Sequence, residues 1–388
     1  MKIVHLCLGA FFPDNYSYQE NMLPKFHKKL GYEVEVIASQ ETFDKNGQIT
    51  YTDFSGVYYN EYDIKVTRLK YSFPRTLNHK LKHYKNVFEA LSDANPNIIF
   101  VHNLQFMSIF SIIKYVRANQ SVKLYIDNHV DSFNSAKNCF SRHFIHGIMW
   151  KLCATVVNPF TKKFYGVLPA RVEWLINVYG LPKEKCELLV IGVDDDEVSR
   201  IKNSDIRMTI RNTYSISDNE VLLLAGGKID NNKKEIITLM RAFAKSNISN
   251  VKLMIFGSIN KSLTHEFEAA ISPNIIYVGW LNPTQIYDYM EASDIIVFPG
   301  LHSVLWEQAV GMGKACIFRK IDGFDHVDLD GNCIFFDSID IDHIMNPIIQ
   351  CIEDNTWKEM QCIAEQKGMN YFSYEKIAKR CIEELEEN

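Results

Sequence analysis

The sequence of 388 residues lacks several features that would place a chain in a special structural class. Its nine cysteines occur singly, without a C-x-x-C pair or a Cys/His cluster, so neither a zinc site nor a disulfide framework is predicted. It has no apolar run of about 18 residues, which a membrane-spanning helix needs. The apolar run at the N-terminus ends too early for a signal peptide. We therefore expect a cytoplasmic protein with reduced thiols.

Length and charge narrow the class further. A chain of 388 residues favours two domains, because single cores stop growing at about 250–300 residues. The net charge is −5, but residues 1–180 contain 21 Lys/Arg and 14 Asp/Glu, so the rest of the chain is acidic. A basic half can attract phosphates, nucleic acid or an anionic membrane surface, and it can equally be a solvated face without a partner.

Strand-like and helix-like segments alternate through both halves of the chain. Strand candidates lie at 2–8, 32–39, 97–103, 123–129, 221–227, 251–258, 274–280, 294–300 and 314–320. This alternation predicts α/β domains with parallel sheets. We expect an N-terminal domain over 1–200, a C-terminal domain over 207–370 and a terminal amphipathic helix over 371–388 that packs on the N-terminal domain. The charged segment 195–206 is predicted to be an exposed linker.

The segment GGKIDNNKKE (226–235) directly follows a predicted strand, where open parallel sheets bind ligands. Its glycines, Gly227 among them, let the backbone approach a ligand closely. Lys228 and Lys233 are five residues apart, and cations are not favoured at a helix N-terminus unless an anion binds there. They are candidates for binding a diphosphate, the alternative being ordinary surface lysines.

A second strand-loop-helix segment is GLHSVLWEQAVGMGKACI (300–317). Backbone amides at His302 and Ser303 can hold phosphate oxygens. Glu307 can accept hydrogen bonds from the two ribose hydroxyls, or can simply stabilise the start of a helix. In the N-terminal half, His129 follows a strand within DNHVDSF and can position a sugar or acceptor, although a lone loop histidine is more often structural.

These motifs resemble those of the family-4 glycosyltransferases, and the resemblance covers nearly the whole chain. Lys228 takes the place of the family arginine that ends a strand, and Lys233 that of the lysine five residues later; both cations bind the donor diphosphate in the family. The run EQAVGMGKA places Glu307 on the ribose-binding carboxylate. YGLPKEKCELLVIGVD (179–194) matches a further family pattern, and Gly9 corresponds to the N-terminal glycine loop.

The chain departs from the family pattern at three points. The family glutamate that contacts the donor hexose would lie at Pro299, and His302 or Ser303 can substitute for it. Lys228 replaces arginine and so loses the bidentate geometry. Val130 separates His129 from the aspartate that follows the histidine in the family.

The resemblance implies a GT-B fold, with two Rossmann-like βαβ domains facing across a cleft. It also implies a retaining, metal-independent transferase without a cofactor. The donor would be a nucleoside-diphosphate sugar, with UDP-sugar favoured, carrying a hexose or N-acetylhexosamine. The acceptor would be a glycan or polyprenyl-linked glycan in surface polysaccharide biosynthesis, and no nucleic-acid partner is implied. Two alternatives remain, namely a nucleotide-sugar epimerase and a catalytically silent, sugar-nucleotide-binding partner protein.

A basic and aromatic segment over 143–164 suggests contact with the inner face of the cell membrane. It mixes Trp150, Phe160 and Phe164 with Lys151, Lys162 and Lys163. Residues 78–88 add a second basic stretch. Apolar bulk beside cations is typical of a segment at an anionic membrane surface, the alternative being a buried helix of the N-terminal domain.

Overall fold

The computed structural model describes residues 1–43, 49–135, 138–139, 141–231, 233–246 and 248–383, with the side chains of 78–80 excepted. The chain divides into two compact units, one of residues 1–191 and 377–388 and the other of residues 192–376. Each unit is built on a central, mainly parallel sheet. Of the helices in these described ranges, none combines the length and apolarity that a bilayer span requires.

The described residues of the first unit contain ten strands. They are β1 (Lys2–Cys7), β2 (Glu33–Ala38), β3 (Glu41–Phe43), β4 (Ile49–Tyr51), β5 (Gly56–Tyr59), β6 (Lys65–Arg68), β7 (Ile98–Val101), β8 (Lys123–Asn128), β9 (Thr161–Gly166) and β10 (Cys186–Leu188). Eight of them form one sheet in the order β10-β9-β8-β7-β1-β2-β6-β5, in which only β5 runs antiparallel, while β3 and β4 form a separate hairpin. Because helices pack on this sheet, its inner strands are almost continuously apolar and buried.

Six α-helices accompany these strands. They are α1 (Gln19–Lys29), α2 (Arg75–Leu81), α3 (Val87–Ala94), α4 (Ile109–Ala118), α5 (Lys151–Val157) and α6 (Pro169–Asn177). A π-helix over Ser141–Trp150 precedes α5, and short 3₁₀ turns lie at Asn158–Phe160 and Lys183–Lys185.

The second unit has a six-stranded parallel sheet in the order β13-β12-β11-β14-β15-β16. Its strands are β11 (Val221–Gly226), β12 (Val251–Phe256), β13 (Ile275–Tyr277), β14 (Ile295–Phe298), β15 (Ala315–Arg319) and β16 (Cys333–Phe336). The helices that follow the first unit are α7 (Asp195–Lys202), α8 (Ile206–Thr213), α9 (Glu235–Ser246), α10 (Thr264–Glu268), α11 (Pro283–Ala292), α12 (Leu305–Gly311), α13 (Asn346–Glu353), α14 (Thr356–Ile363), α15 (Met369–Tyr371) and α16 (Tyr374–Arg380). A 3₁₀ turn at Lys261–Leu263 and a π-helix over Ala364–Gly368 complete the list.

The predicted alternation of strands and helices is confirmed, whereas the prediction of an exposed linker over 195–206 is wrong. Asp195–Lys202 form α7, and the side chain of Asp194 caps this helix by accepting a hydrogen bond from the amide of Asp196. Acidic residues lie in its first turn and basic residues in its last, as the helix dipole favours. The charge pattern that suggested a linker is therefore the pattern of a capped helix.

Candidate active site

The second unit contains a cavity of about 200 Å³ at the carboxyl ends of β11 and β14. These two strands are neighbours in the sheet, and the strand order reverses between them. A reversal of this kind leaves a crevice in which α/β proteins bind ligands. The turn after β11 and the loop over 299–305 after β14 form the cavity wall.

Glycines bring the backbone close to this cavity. Gly227 has a φ of +124°, in the region that other residues rarely adopt. A methyl group on Gly226 would lie only 2.4 Å from the Phe256 ring and carbonyl oxygen. The turn therefore requires glycine at both positions, as expected where backbone amides must approach a ligand.

Lys228 and Lys233, the candidates for a shared anion site, both line the cavity. Lys228 is exposed and Lys233 is half-buried. Across the described ranges, no acidic side chain pairs with either ammonium group, whereas the adjacent Lys234 lies 3.9 Å from Glu266. The cavity thus carries two uncompensated positive charges, which favour an anionic ligand.

Glu235, which the sequence analysis missed, adds a carboxylate to the same wall. Its Oε1 accepts a hydrogen bond from Nη1 of Arg319 at 3.2 Å, and its Oε2 is buried without a hydrogen-bond partner among the residues that the structure describes. A methyl group on Gly300 would lie 3.8 Å from that oxygen. The only sequence signal was its position at the start of a helix, which a favourable dipole interaction already explained.

Glu307 is completely buried and does not line the cavity. Its Oε1 accepts hydrogen bonds from Nε2 of His302 at 2.8 Å and Nε2 of His326 at 2.9 Å. Burial opposes ionisation, but the two imidazoles outweigh it and hold the pKa of Glu307 well below its usual range. Oε2 of Glu307 has no hydrogen-bond partner. The carboxylate is thus held in a fixed orientation with one acceptor oxygen unused.

Of the other predicted residues in the second unit, some line the cavity and one contacts Glu307 instead. Ser303 lines the cavity beside Gly227 and the two lysines, and so does Pro299 at the position of the absent family glutamate. His302 instead contacts Glu307 and packs against the rings of Trp306 and Phe324. His326 was missed because no motif surrounds it.

Gly9 and His129 belong to the first unit, at the carboxyl ends of β1 and β8. A methyl group on Gly9 would lie 2.1 Å from the carbonyl oxygen of Asn103, so this turn accepts only glycine. The Gly9 carbonyl oxygen accepts hydrogen bonds from Nζ of Lys82 at 2.5 Å and Nδ2 of Asn103 at 3.2 Å.

His129 lies beside two carboxylates. Its Nε2 is 3.2 Å from Oδ1 of Asp127 and 4.0 Å from Oε1 of Glu20. The shorter contact is an ion pair when His129 is protonated. Burial lowers the pKa of His129, but these carboxylates outweigh it and raise the pKa above its ordinary 6.5. The cationic form of His129 is therefore favoured relative to that of a free imidazole.

Two groups of side chains in the described ranges have ligand atoms spaced closely enough for a metal ion. They are His102 with Asp127 and His129, and His302 with Glu307 and His326. In each group hydrogen bonds already engage the carboxylate: Asp127 accepts from His102 and the Asn103 amide, and Glu307 from both of its histidines. We assign no metal to either group.

Comparison with known proteins agrees with this arrangement. Residues 219–354 match the family model of the Glycosyl transferases group 1 domain. None of the curated proteins compared with the chain matches its sequence. Among solved structures, sucrose-phosphate synthase from Thermosynechococcus elongatus is 14% identical with a TM-score of 0.69, covering 98% of this chain and 97% of that one.

Two further structures resemble the whole chain, each over 98% of both chains. Anabaena HepE in complex with UDP and glucose is 15% identical with a TM-score of 0.65. The UDP-GlcNAc 2-epimerase of Neisseria meningitidis bound to UDP-GlcNAc is 13% identical with a TM-score of 0.63. The predicted GT-B fold is thereby confirmed. Residues 219–354 thus resemble a glycosyl transferase domain, and the solved structures show the fold of the chain.

Proposed function

We propose that the protein transfers a hexose or N-acetylhexosamine from a UDP-sugar to a glycan or polyprenyl-linked glycan, with retention of anomeric configuration. The observation that carries this proposal is the cavity at the ends of β11 and β14. It has two unpaired lysines, Lys228 and Lys233, within the segment that matches the group 1 domain. A nucleoside diphosphate is the leaving group whose charge these lysines can stabilise. UDP is favoured because HepE is a neighbour with UDP bound.

In this mechanism the bond between the anomeric carbon and the diphosphate oxygen breaks while the acceptor hydroxyl attacks the same face of the sugar. Negative charge develops on the departing diphosphate, and Lys228, Lys233 and the backbone amides near Gly227 stabilise it. The donor phosphate accepts the proton of the acceptor hydroxyl, so no protein base and no metal ion is required. His129 and Gly9 in the first unit would position the sugar and the diphosphate.

Glu307 would bind the ribose of the donor. Its Oε2 has no hydrogen-bond partner, and its Oε1 is fixed by two histidines, so one oxygen remains to accept a ribose hydroxyl. Because Glu307 is completely buried, the groups that cover Oε2 must move to admit the ribose. The site of Lys228 and Lys233 needs no such movement at Lys228, which is exposed.

A second candidate function is epimerisation of a nucleotide sugar, which the Neisseria neighbour favours. A catalytically silent sugar-nucleotide-binding protein is a third. All three would bind a nucleotide sugar, so binding alone does not separate them. An epimerase converts the donor without releasing UDP, a transferase releases UDP when an acceptor is present, and a silent protein does neither.

We also propose an acceptor site at the inner face of the cell membrane, in surface polysaccharide assembly, but with different contacts from those predicted. Trp150 and Phe164 are buried and so do not face a membrane. Instead Phe144, Ile148 and Leu152 are exposed at a spacing of four residues along the helical segment 141–157. An exposed apolar stripe of this kind is typical of an interfacial segment.

Donor choice is the first experiment. Thermal unfolding should be measured with UDP, GDP, UDP-glucose and UDP-N-acetylglucosamine, since a ligand that binds only the folded state raises Tm. The proposal predicts a rise with UDP and at least one UDP-sugar. A rise with GDP alone would overturn the choice of base, and no rise with any of them would contradict the donor site itself.

A further inference from the structure

Resting on the proposed function, we infer that Glu235 accepts hydrogen bonds from hydroxyl groups of the donor sugar. The resemblance to the family-4 glycosyltransferases places the hexose-contacting carboxylate at Pro299, and a proline side chain has no acceptor. Glu235 lies on the wall of the same cavity, on the opposite loop from Pro299. The carboxylate of Glu235 therefore reaches the cavity from the segment after β11, whereas Pro299 follows β14.

The two carboxylate oxygens of Glu235 have different surroundings. Arg319 donates to Oε1 and so fixes the carboxylate at the first residue of α9. Oε2 is buried and has no hydrogen-bond partner among the described residues. Leaving a buried acceptor unpaired costs roughly 1–3 kcal/mol, so a ligand hydroxyl that donates to Oε2 would be bound favourably. Gly300, whose added methyl would lie 3.8 Å from Oε2, leaves the approach to this oxygen open.

The charge of Glu235 also restricts what it can contact. A diphosphate bound by Lys228 and Lys233 would repel a carboxylate in the same cavity. Such a carboxylate is tolerated where the ligand presents hydroxyl donors to it, and the sugar is the part of the donor that does so. Glu235 is thus a specificity-determining residue that distinguishes UDP-sugar from UDP.

Calorimetric titration of UDP and UDP-glucose into the wild type and Glu235→Gln tests this. Glutamine keeps the size of the side chain but weakens acceptance from hydroxyls. We expect affinity for UDP-glucose, or for UDP-N-acetylglucosamine if that is the better ligand, to fall by about tenfold to a hundredfold, as for hydrogen bonds to charged groups. Affinity for UDP should stay within about twofold. Glu266→Gln is the matched control, since Glu266 pairs with Lys234 outside the cavity and should change neither affinity.

Equal losses for UDP and UDP-sugar in Glu235→Gln, or no loss for either, would overturn the role of Glu235 while leaving the donor site intact. Wild-type protein that binds no nucleotide would instead overturn the proposed function, and this inference with it. Arg319→Met gives a second variant that frees the Glu235 carboxylate. It should shift the ratio of the two affinities in the same direction.

A separate observation in the first unit carries a second inference. Three buried imidazoles form a continuous chain of contacts. At one end, Nε2 of His27 lies 2.8 Å from the carbonyl oxygen of Ala378, and Nδ1 of His27 lies 2.9 Å from Nε2 of His5. Nδ1 of His5 in turn lies 3.0 Å from Nε2 of His102. At the other end, Nδ1 of His102 lies 2.9 Å from Oδ2 of Asp127. Both ends of the chain are oxygen acceptors.

Counting protons shows what this chain requires. Its four contacts each need one proton, yet three neutral imidazoles carry only three N–H groups. Burial lowers the pKa of His5 well below 6.5 and that of His27 to about 4, so neither ring holds the fourth proton. The geometry points to a fourth proton held by the pair of His102 and Asp127, and to His102 as a positioning residue that acts on His129 through the Asp127 carboxylate.

Asp127 also pairs with His129. Further charged or titratable groups of the described residues lie near this chain, among them Glu20, Cys7, Tyr32, Arg171 and Cys381. Sγ of Cys381 lies 3.6 Å from Nε2 of His27, farther than the Ala378 oxygen, so the ring donates to the carbonyl. Asp127 also accepts from the Asn103 amide at 2.7 Å, which stabilises its charged form.

Nitrogen-15 NMR of the histidine rings tests this inference, because it distinguishes protonated from unprotonated ring nitrogens. Nε2 should be protonated on all three rings, with the His102 signal assigned by its loss in His102→Gln. The matched variants are His5→Gln, which keeps a donor and an acceptor in the chain, and His5→Met, which has the same length but no N–H donor. Nε2 of His102 should stay protonated in the first variant and lose its proton in the second. An unprotonated Nε2 of His102 in the wild type would overturn the inference, and that measurement does not depend on either variant folding.

Discussion

Nε2 of His326 lies 2.9 Å from Oε1 of Glu307, although 18 residues separate them in the sequence. This contact and the equivalent one from His302 keep the buried carboxylate ionised and fixed in orientation. If Oε2 of Glu307 accepts a ribose hydroxyl, then His326 positions the carboxylate that binds the donor.

Glu307→Gln should therefore raise the donor KM with a smaller effect on kcat, because ribose binding is the same in the ground state and the transition state. His326→Phe should raise KM in the same direction but less, since His302 still holds the carboxylate. Steady-state kinetics over donor concentration measures both. Full donor affinity in Glu307→Gln would reject its role.

Changing Lys228 or Lys233 to Ala should lower kcat by about tenfold to a thousandfold, because each ammonium group stabilises charge that develops on the departing diphosphate. Lys234→Ala is the matched control, since Lys234 lies beside them but pairs with Glu266. Its turnover should match the wild type. Unchanged turnover in both cavity variants, with folding intact, would remove the diphosphate assignment.

Activity should survive an excess of EDTA. The carboxylates closest to possible metal positions, Asp127 and Glu307, are engaged by hydrogen bonds from histidines and a backbone amide, and the lysines supply the positive charge that a metal would otherwise provide. Turnover should be assayed in protein dialysed against chelator and then with added Mg²⁺ or Mn²⁺. An absolute requirement for either ion would contradict the proposed mechanism.

The ion pair of His129 predicts a pH dependence of stability. Because its pKa is raised in the folded state by Asp127 and Glu20, its contribution is complete below the ordinary 6.5 and is lost as pH rises through the folded value. The difference in unfolding free energy between the wild type and His129→Gln should therefore be largest at about pH 5 and small at about pH 9. A difference that grows with pH would show that His129 is stabilising in its neutral form.

Membrane contact can be tested with liposomes of anionic and of neutral lipid. Phe144, Ile148 and Leu152 are exposed, so changing all three to Ser should abolish binding to anionic liposomes without lowering Tm. Lys162→Glu with Lys163→Glu tests the cations, although Lys163 already pairs with Glu187. Binding that survives the triple change would contradict the apolar stripe as the contact surface.

Sequence patterns located the βα framework and the loops at its strand ends, because buried parallel strands are apolar runs and glycine turns have a recognisable composition. They did not find Glu235 or His326, since both act through tertiary contacts with residues far along the chain, Arg319 and Glu307. Sequence patterns also missed the helix over Asp195–Lys202, where they predicted a linker. Its charges were visible, but the cap formed by Asp194 depends on backbone geometry.

Release of UDP from a UDP-sugar, measured with and without a glycan acceptor, tests the central claim most directly. The wild type should release UDP much faster when an acceptor is present, and the Lys228→Ala, Lys233→Ala double variant should lose this acceptor-dependent release. Conversion of the UDP-sugar to its epimer without UDP release, or tight binding of the donor with no turnover for any acceptor, would contradict a glycosyltransferase.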